Sequence, residues 1–256
     1  MVTPLVAVVA VLAAVLQPSG AFLPTSLNYS DPAVEDFFCP SQMSENTWDH
    51  KAITREALRR EVRRFLLESV SGTNVTVIIP EDASLTQIFR AYYGPTASPT
   101  RFIKAVNSIT WSNAMTEAAG HLRFQTAYHM DGESLLKGHE LLQGRYQELV
   151  GSVVMDQAYP FARELLGTSL NGIQDFYSQT TWVELGRDGI LEGLGLPGVN
   201  LKDVAGPSDP VCTSCDPPME ECKDNVIPGS LKLQYNTQRR RSVLKRQFNY
   251  SEAGVS

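Results

Sequence analysis

From Asp49 onward the apolar positions fall at helical intervals. Ile53, Ala57, Leu58, Val62, Phe65 and Leu66 recur at steps of three to five residues with Arg and Glu between them, which predicts an amphipathic helix of about five turns opening at Asp49 as N-cap. The β-branched run "GTNVTVIIP" reads as a short strand ended by Pro80. A short helix is expected over Ser84 to Tyr93, closed by Gly94-Pro95, and another from Pro99 to about Ala118, with the proline at its start. The longest periodic stretch runs from 133 to 158 despite three glycines, and Pro160 separates it from a last helix over about 161 to 184. Five helices and at most one strand predict a mainly α fold, a multi-helix bundle in which side chains meet across facing helices, with a disulfide-bearing loop region at its C-terminal side.

Either side of that core the pattern changes. Residues 5–16, "LVAVVAVLAAVL", are apolar and uncharged, yet twelve residues fall short of the roughly 20 that span a bilayer, so they read as a signal-peptide core with cleavage before Phe22. The expected organisation is a signal peptide at 1–21, an extended lead-in at 22–46, the helical domain at 47–186, a Gly- and Pro-rich loop with a cysteine cluster at 187–230, and a basic tail at 231–256. Sequons at Asn28, Asn74 and Asn249 agree with a secreted, extracellular glycoprotein. In that compartment Cys39, Cys212, Cys215 and Cys222 are expected to form two disulfides, with Cys39 tied to the later cluster. A net charge of −6 argues against nucleic acid as a partner, and no second apolar run approaches a membrane span. The remaining partner class is an unidentified extracellular protein or matrix component; oligomeric state is not legible.

The last helix carries the candidate chemistry. Asn171, Asp175 and Gln179 stand four residues apart, about 6 Å per step along one face, with Glu184 just beyond. The spacing suits a shared cation. The residue types suit it only in part, because neutral amides are poor zinc ligands beside imidazole. Phe176, Tyr177 and Trp182 read as core aromatics that fix the stripe. Asp82, Ser84 and Thr86 imitate the metal site of a von Willebrand A domain, but the alternating strands and helices that such a site needs do not follow, and Ser84 reads as a helix N-cap. The tail "RRRSVLKR" reads chiefly as solvated charge.

"IQDFYSQTTWVELG", with "WDHKAIT" before it, "YHMD" in the middle and "DPVCTSC" after it, resembles the family formed by the amino-terminal region of von Willebrand factor A domain-containing protein 7. That family is in turn similar to fungal Het-C heterokaryon-incompatibility proteins and, more distantly, to the helical fold of zinc-dependent phospholipase C and single-strand nucleases. The resemblance implies metal ligands at His50, His129, Asp131, Asp175 and Glu184. It also implies that Asn171 and Gln179 occupy positions where the family carries histidine. His121 and His139 match no family position and receive no role. With two imidazoles replaced by amides, the expectation is a degenerate metal site in a non-catalytic interaction or structural module, with no resident cofactor. The alternatives are a metal-dependent phospholipase- or phosphodiesterase-like hydrolase holding zinc, and a module with one structural ion, for which oxygen donors would suit calcium.

Overall fold

The computed structural model describes residues 48–118, 121–130, 134–182, 185–187 and 189–205. Five α-helices follow one another: α1 His50–Val70, α2 Leu85–Tyr93, α3 Thr100–Ala118, α4 Leu135–Val154 and α5 Tyr159–Gln179, with a 3-10 turn at Thr126–Tyr128 between α3 and α4. Three of the starts have a local cause. The Asp49 carboxylate accepts from the Ala52 amide at 2.6 Å, and Ser84 and Gln87 form a reciprocal capping box. Pro160 sits in the first turn of α5, where its missing N–H goes unfelt. Gly94, at φ 101°, takes the chain out of α2.

The "NVTVII" segment forms no strand. It runs extended from the end of α1 toward α2, and Ile79 and Ala83 pack with Leu66 and Ile88 in a small apolar cluster. Arg63 and Arg59 hold this turn by donating to the carbonyls of Ile79, Pro80 and Ala83. These bonds fix the end of the segment against α1, and no neighbouring strand lies among the described residues to pair with it.

The main core gathers Ile53, Leu58, Val106, Ile109, Leu170 and Phe176 from α1, α3 and α5. Helices α3 and α5 pack most closely, and Gly167 permits it: a Cβ there would lie 2.4 Å from the Ile109 carbonyl oxygen. The aromatic trio lies in this core, Phe176 stacking edge-on against Tyr177 at 4.9 Å and tilted against Trp182 at 5.6 Å. Tyr177 and Trp182 also pin the following loop, through Leu191 N–H to the Tyr177 hydroxyl and Trp182 Nε1–H to the Gly189 carbonyl, both at 3.0 Å. His139 does the same from α4, accepting from Gly195 N–H at Nδ1 and contacting the Val199 carbonyl through Nε2.

The expected disulfide-bearing region requires correction. The described molecule is an all-helical bundle held by side-chain packing, and no disulfide occurs among the described residues. Cys39, Cys212, Cys215 and Cys222 lie outside them, as do the signal-like run, the basic tail, Asn28 and Asn249. Asn74 lies exposed in the turn after α1. Among the described residues no helix is long and apolar enough to cross a membrane.

Candidate metal centre

Helix α5 is buried along almost its whole second half, from Gly167 to Tyr177. That is why polar groups on it must find partners inside the molecule: a buried amide or carboxylate without one costs several kcal/mol at the upper end. Asp175, 2% exposed, finds His50 from the first turn of α1 and His129 from the segment before α4. Its Oδ1 stands 3.5 Å from His50 Nε2 and its Oδ2 3.1 Å from His129 Nδ1. Glu117, in the last turn of α3, is the fourth member. Its Oε1 lies 3.1 Å from His129 Nδ1 and 3.8 Å from His50 Nε2.

Four segments far apart in the chain thus deliver two imidazoles and two carboxylates to one place. His50, Glu117 and Asp175 each offer a donor atom within 4.8 Å of the others, and His129 joins through both carboxylates. Donors bound to one ion at about 2.0–2.1 Å with tetrahedral angles stand roughly 3.3 Å apart. His50 Nε2 lies 3.5 Å from Asp175 and 3.8 Å from Glu117, near that value, so these three side chains can in principle share one divalent cation, with His129 bonded to both carboxylates beside them.

Second partners orient both rings. His50 turns Nδ1 to the Gln174 side-chain oxygen at 2.5 Å, and His129 turns Nε2 to the Leu122 carbonyl at 3.3 Å. Each ring therefore has one nitrogen engaged by an oxygen and the other facing the carboxylates, the arrangement that metal-ligating histidines adopt. Asn171, fully buried, donates from Nδ2 to Glu117 Oε1 at 3.1 Å, while its Oδ1 is buried with no hydrogen-bond partner among the described residues.

The electrostatics follow from crowding charge in a dry place. Burial resists charging of His129, but its bonds to Asp175 and Glu117 prevail and raise it to about 10. Burial likewise pushes Glu117 up, yet the hydrogen bond from His129 and the attraction of both imidazoles bring it down to about 2. Asp175 is raised, by burial first and by the charge of Glu117 second, against the pull of His129. The cluster holds an imidazolium against Glu117 and resists a second full negative charge on Asp175, which a divalent cation would relieve.

The family model of the VWA7 N-terminal domain matches residues 83–238, which include Glu117, His129 and Asp175. The chain belongs to this family. It is 34% identical over 145 residues to von Willebrand factor A domain-containing protein 7 of Mus musculus, covering 56% of this chain and 16% of that protein. The protein of that name in Rattus norvegicus and that in Homo sapiens are each 30% identical over 172 residues, 65% of this chain and 19% of theirs. The chain thus spans less than a fifth of the length of these VWA7 relatives. No solved structure matches it.

Within this VWA7-type domain the expectation of a decayed centre is overturned, and with it the inclination toward a non-enzyme without a metal. His50, Glu117 and Asp175 stand together as true ligand-type side chains, a cluster able in principle to hold a divalent cation. The physical reason is that the donors converge from α1, α3 and α5, so two amides on one helix do not abolish the site. Asn171 supports Glu117, and Gln179 is half-buried at the end of α5. Asp131 and Glu184 lie outside the described residues. Glu117 escaped the sequence reading. The only signal for it was an Asn113–Glu117 pair spaced like Asn171–Asp175, a pattern too common to single out.

Proposed function

We propose that this chain is a metal-dependent hydrolase of phosphoester bonds, with its centre built on His50, Glu117, His129 and Asp175 around zinc or an ion of similar preference. The observation that supports it is the convergence of two imidazoles and two carboxylates at donor spacings of 3.1 to 3.8 Å. Imidazole nitrogen favours zinc-like ions over calcium, which takes oxygen. Asp131 and Glu184 complete the proposed ligand set from outside the described residues. When bound, such an ion polarises a phosphoryl oxygen and lowers the pKa of a coordinated water toward 7. Asp175 and the two histidines, all nearly closed to solvent, hold and orient. Glu117, at 20% side-chain exposure, is the most open of the four ligands. Asn171 keeps that carboxylate in place. The phosphoester class rests on the resemblance to phospholipase C and nucleases. We place the protein outside the cell, with its apolar leader at 1–21 removed, the helical domain at 47–186 as the working part and Asn28, Asn74 and Asn249 as glycan acceptors.

The closeness of His50, His129 and Asp175 to full burial favours a second reading, a single structural ion. Metal content of the secreted full chain, measured with hydrolysis of bis(p-nitrophenyl) phosphate and phosphatidylcholine vesicles, separates the two. Bound zinc with chelator-sensitive turnover, both lost in Asp175→Asn, is expected. Bound zinc without turnover would replace the hydrolase with the structural ion, and no bound metal would end both readings.

A further inference from the structure

One buried polar network near the centre is made of residues with no ligand role. Gln174 is fully buried on α5, next to Asp175, and its amide makes three hydrogen bonds. Its Nε2 donates to Thr54 Oγ1 of α1 at 2.8 Å, while its Oε1 accepts from Asn113 Nδ2 of α3 at 3.3 Å and meets His50 Nδ1 at 2.5 Å. Asn113 Nδ2 also donates to Thr54 Oγ1 at 2.9 Å. Thr54 and Asn113 are themselves fully buried.

With Asn113 presenting its NH2, these bonds favour one orientation of the Gln174 amide. Turned over against that group, the Gln174 NH2 would face the Asn113 NH2, two donors with nothing to accept, and Thr54 would lose a donor. With Oε1 held toward His50, the only bond available to Nδ1 is donation, so the ring carries a proton there and, when neutral, presents its Nε2 lone pair on the other side. Nε2 is the atom that lies 3.5 Å from Asp175 and 3.8 Å from Glu117. An apolar side chain of similar volume would leave no buried amide to satisfy. Burying this many amides instead exacts a cost, since Asn113 Oδ1 is left without a partner among the described residues.

Building on the metal-centre reading, we propose that Gln174, braced by Asn113 and Thr54, is the positioning residue of the centre: it locks His50 in the Nδ1–H tautomer and so aims Nε2 at the cation. The network spans α1, α3 and α5, and therefore also sets the relative register of the helices that carry His50, Glu117 and Asp175. Partners of this kind usually change metal affinity 10- to 100-fold when removed.

The test begins with the metal-free full chain, through long-range 1H–15N NMR of the histidine rings in mildly alkaline buffer. His50 should show the Nδ1–H tautomer, and an Nε2–H signature in the wild type would overturn the proposal without touching the metal reading. Gln174→Met, similar in volume, should release the tautomer toward a mixture and weaken zinc binding about 10- to 100-fold in competition with a chromophoric chelator. Gln174→Glu retains an acceptor and should keep the wild-type tautomer and lose less affinity. If Gln174→Met fails to fold, Thr54→Val, which removes only the brace, should move both readouts the same way by less. Unchanged tautomer and affinity in a folded Gln174→Met or Thr54→Val protein would refute the role. Absence of zinc binding to the wild type, with the Nδ1–H tautomer intact, would count against the centre and leave the tautomer lock standing.

Discussion

The two functions of His129, partner of two carboxylates and ligand of a cation, demand opposite protonation states, and pH should pull them apart. In the metal-free protein His129 is raised from an ordinary 6.5 to about 10. A group raised on folding stabilises fully below its unfolded value and loses that contribution as pH climbs through its folded one. Stability should therefore fall between about pH 6.5 and 10. At 1.36 kcal/mol per unit the ceiling is about 5 kcal/mol, and Asp175, a carboxylate raised on folding, works in the same direction, since its contribution too is lost as pH rises. For a chain of this size a loss of a few kcal/mol is a fall in Tm of roughly 5–15 °C across the window. Glu117 governs the acid side: lowered from 4.5 to about 2, it stabilises above 4.5 and that contribution drains away as pH falls toward 2. Zinc must displace the His129 proton, so its affinity should climb by up to about tenfold per pH unit over the same 6.5 to 10 window. Thermal melts with chelator and with buffered zinc, from pH 5 to 10, should give curves of opposite slope. A metal-free Tm that stays flat from 6.5 to 10, or a zinc affinity indifferent to pH there, would refute the charge arrangement assigned to His129.

Three further outcomes follow from the packing. Gly167→Ala places a methyl 2.4 Å from the Ile109 carbonyl oxygen and 2.7 Å from Ser112 Cβ, so α3 and α5 must part; a loss of about 1–3 kcal/mol in denaturant melts is expected, together with weaker metal retention. Phe176→Ala empties a fully buried ring site between Tyr177 and Trp182 and should cost about 3–5 kcal/mol by the same assay, with a shift in tryptophan fluorescence. Asn171→Leu removes the donor to Glu117 but also an orphaned oxygen, so stability should change by less than about 1 kcal/mol while zinc affinity drops; a calorimetric titration and a melt on the same sample check both halves.

Helix positions were legible from the chain alone, because apolar spacing, Asp49, Ser84, Gly94 and Pro160 act over a few residues and need no distant partner. The same locality made "NVTVII" read as a strand: β-branched composition is a local signal, whereas a ladder needs a neighbouring strand, and here Arg59 and Arg63 of α1 supply the hydrogen bonds that hold the turn. The aromatic trio was readable as core for the same reason that it packs, its large apolar area on a helix with few charges. The family resemblance named His50, His129 and Asp175, but only the tertiary structure brought Glu117 to them. His50, Glu117, His129 and Asp175 are separated by as many as 125 positions, and nothing in the local sequence of Glu117 marks it as a partner. What joins them is the close passage of α3 over α5 at Gly167 and the docking of the α1 start on both, a matter of how surfaces fit rather than of which residue follows which. The sequence determined that a carboxylate and amides would line one buried helix face; the fold decided that imidazoles from elsewhere would meet them.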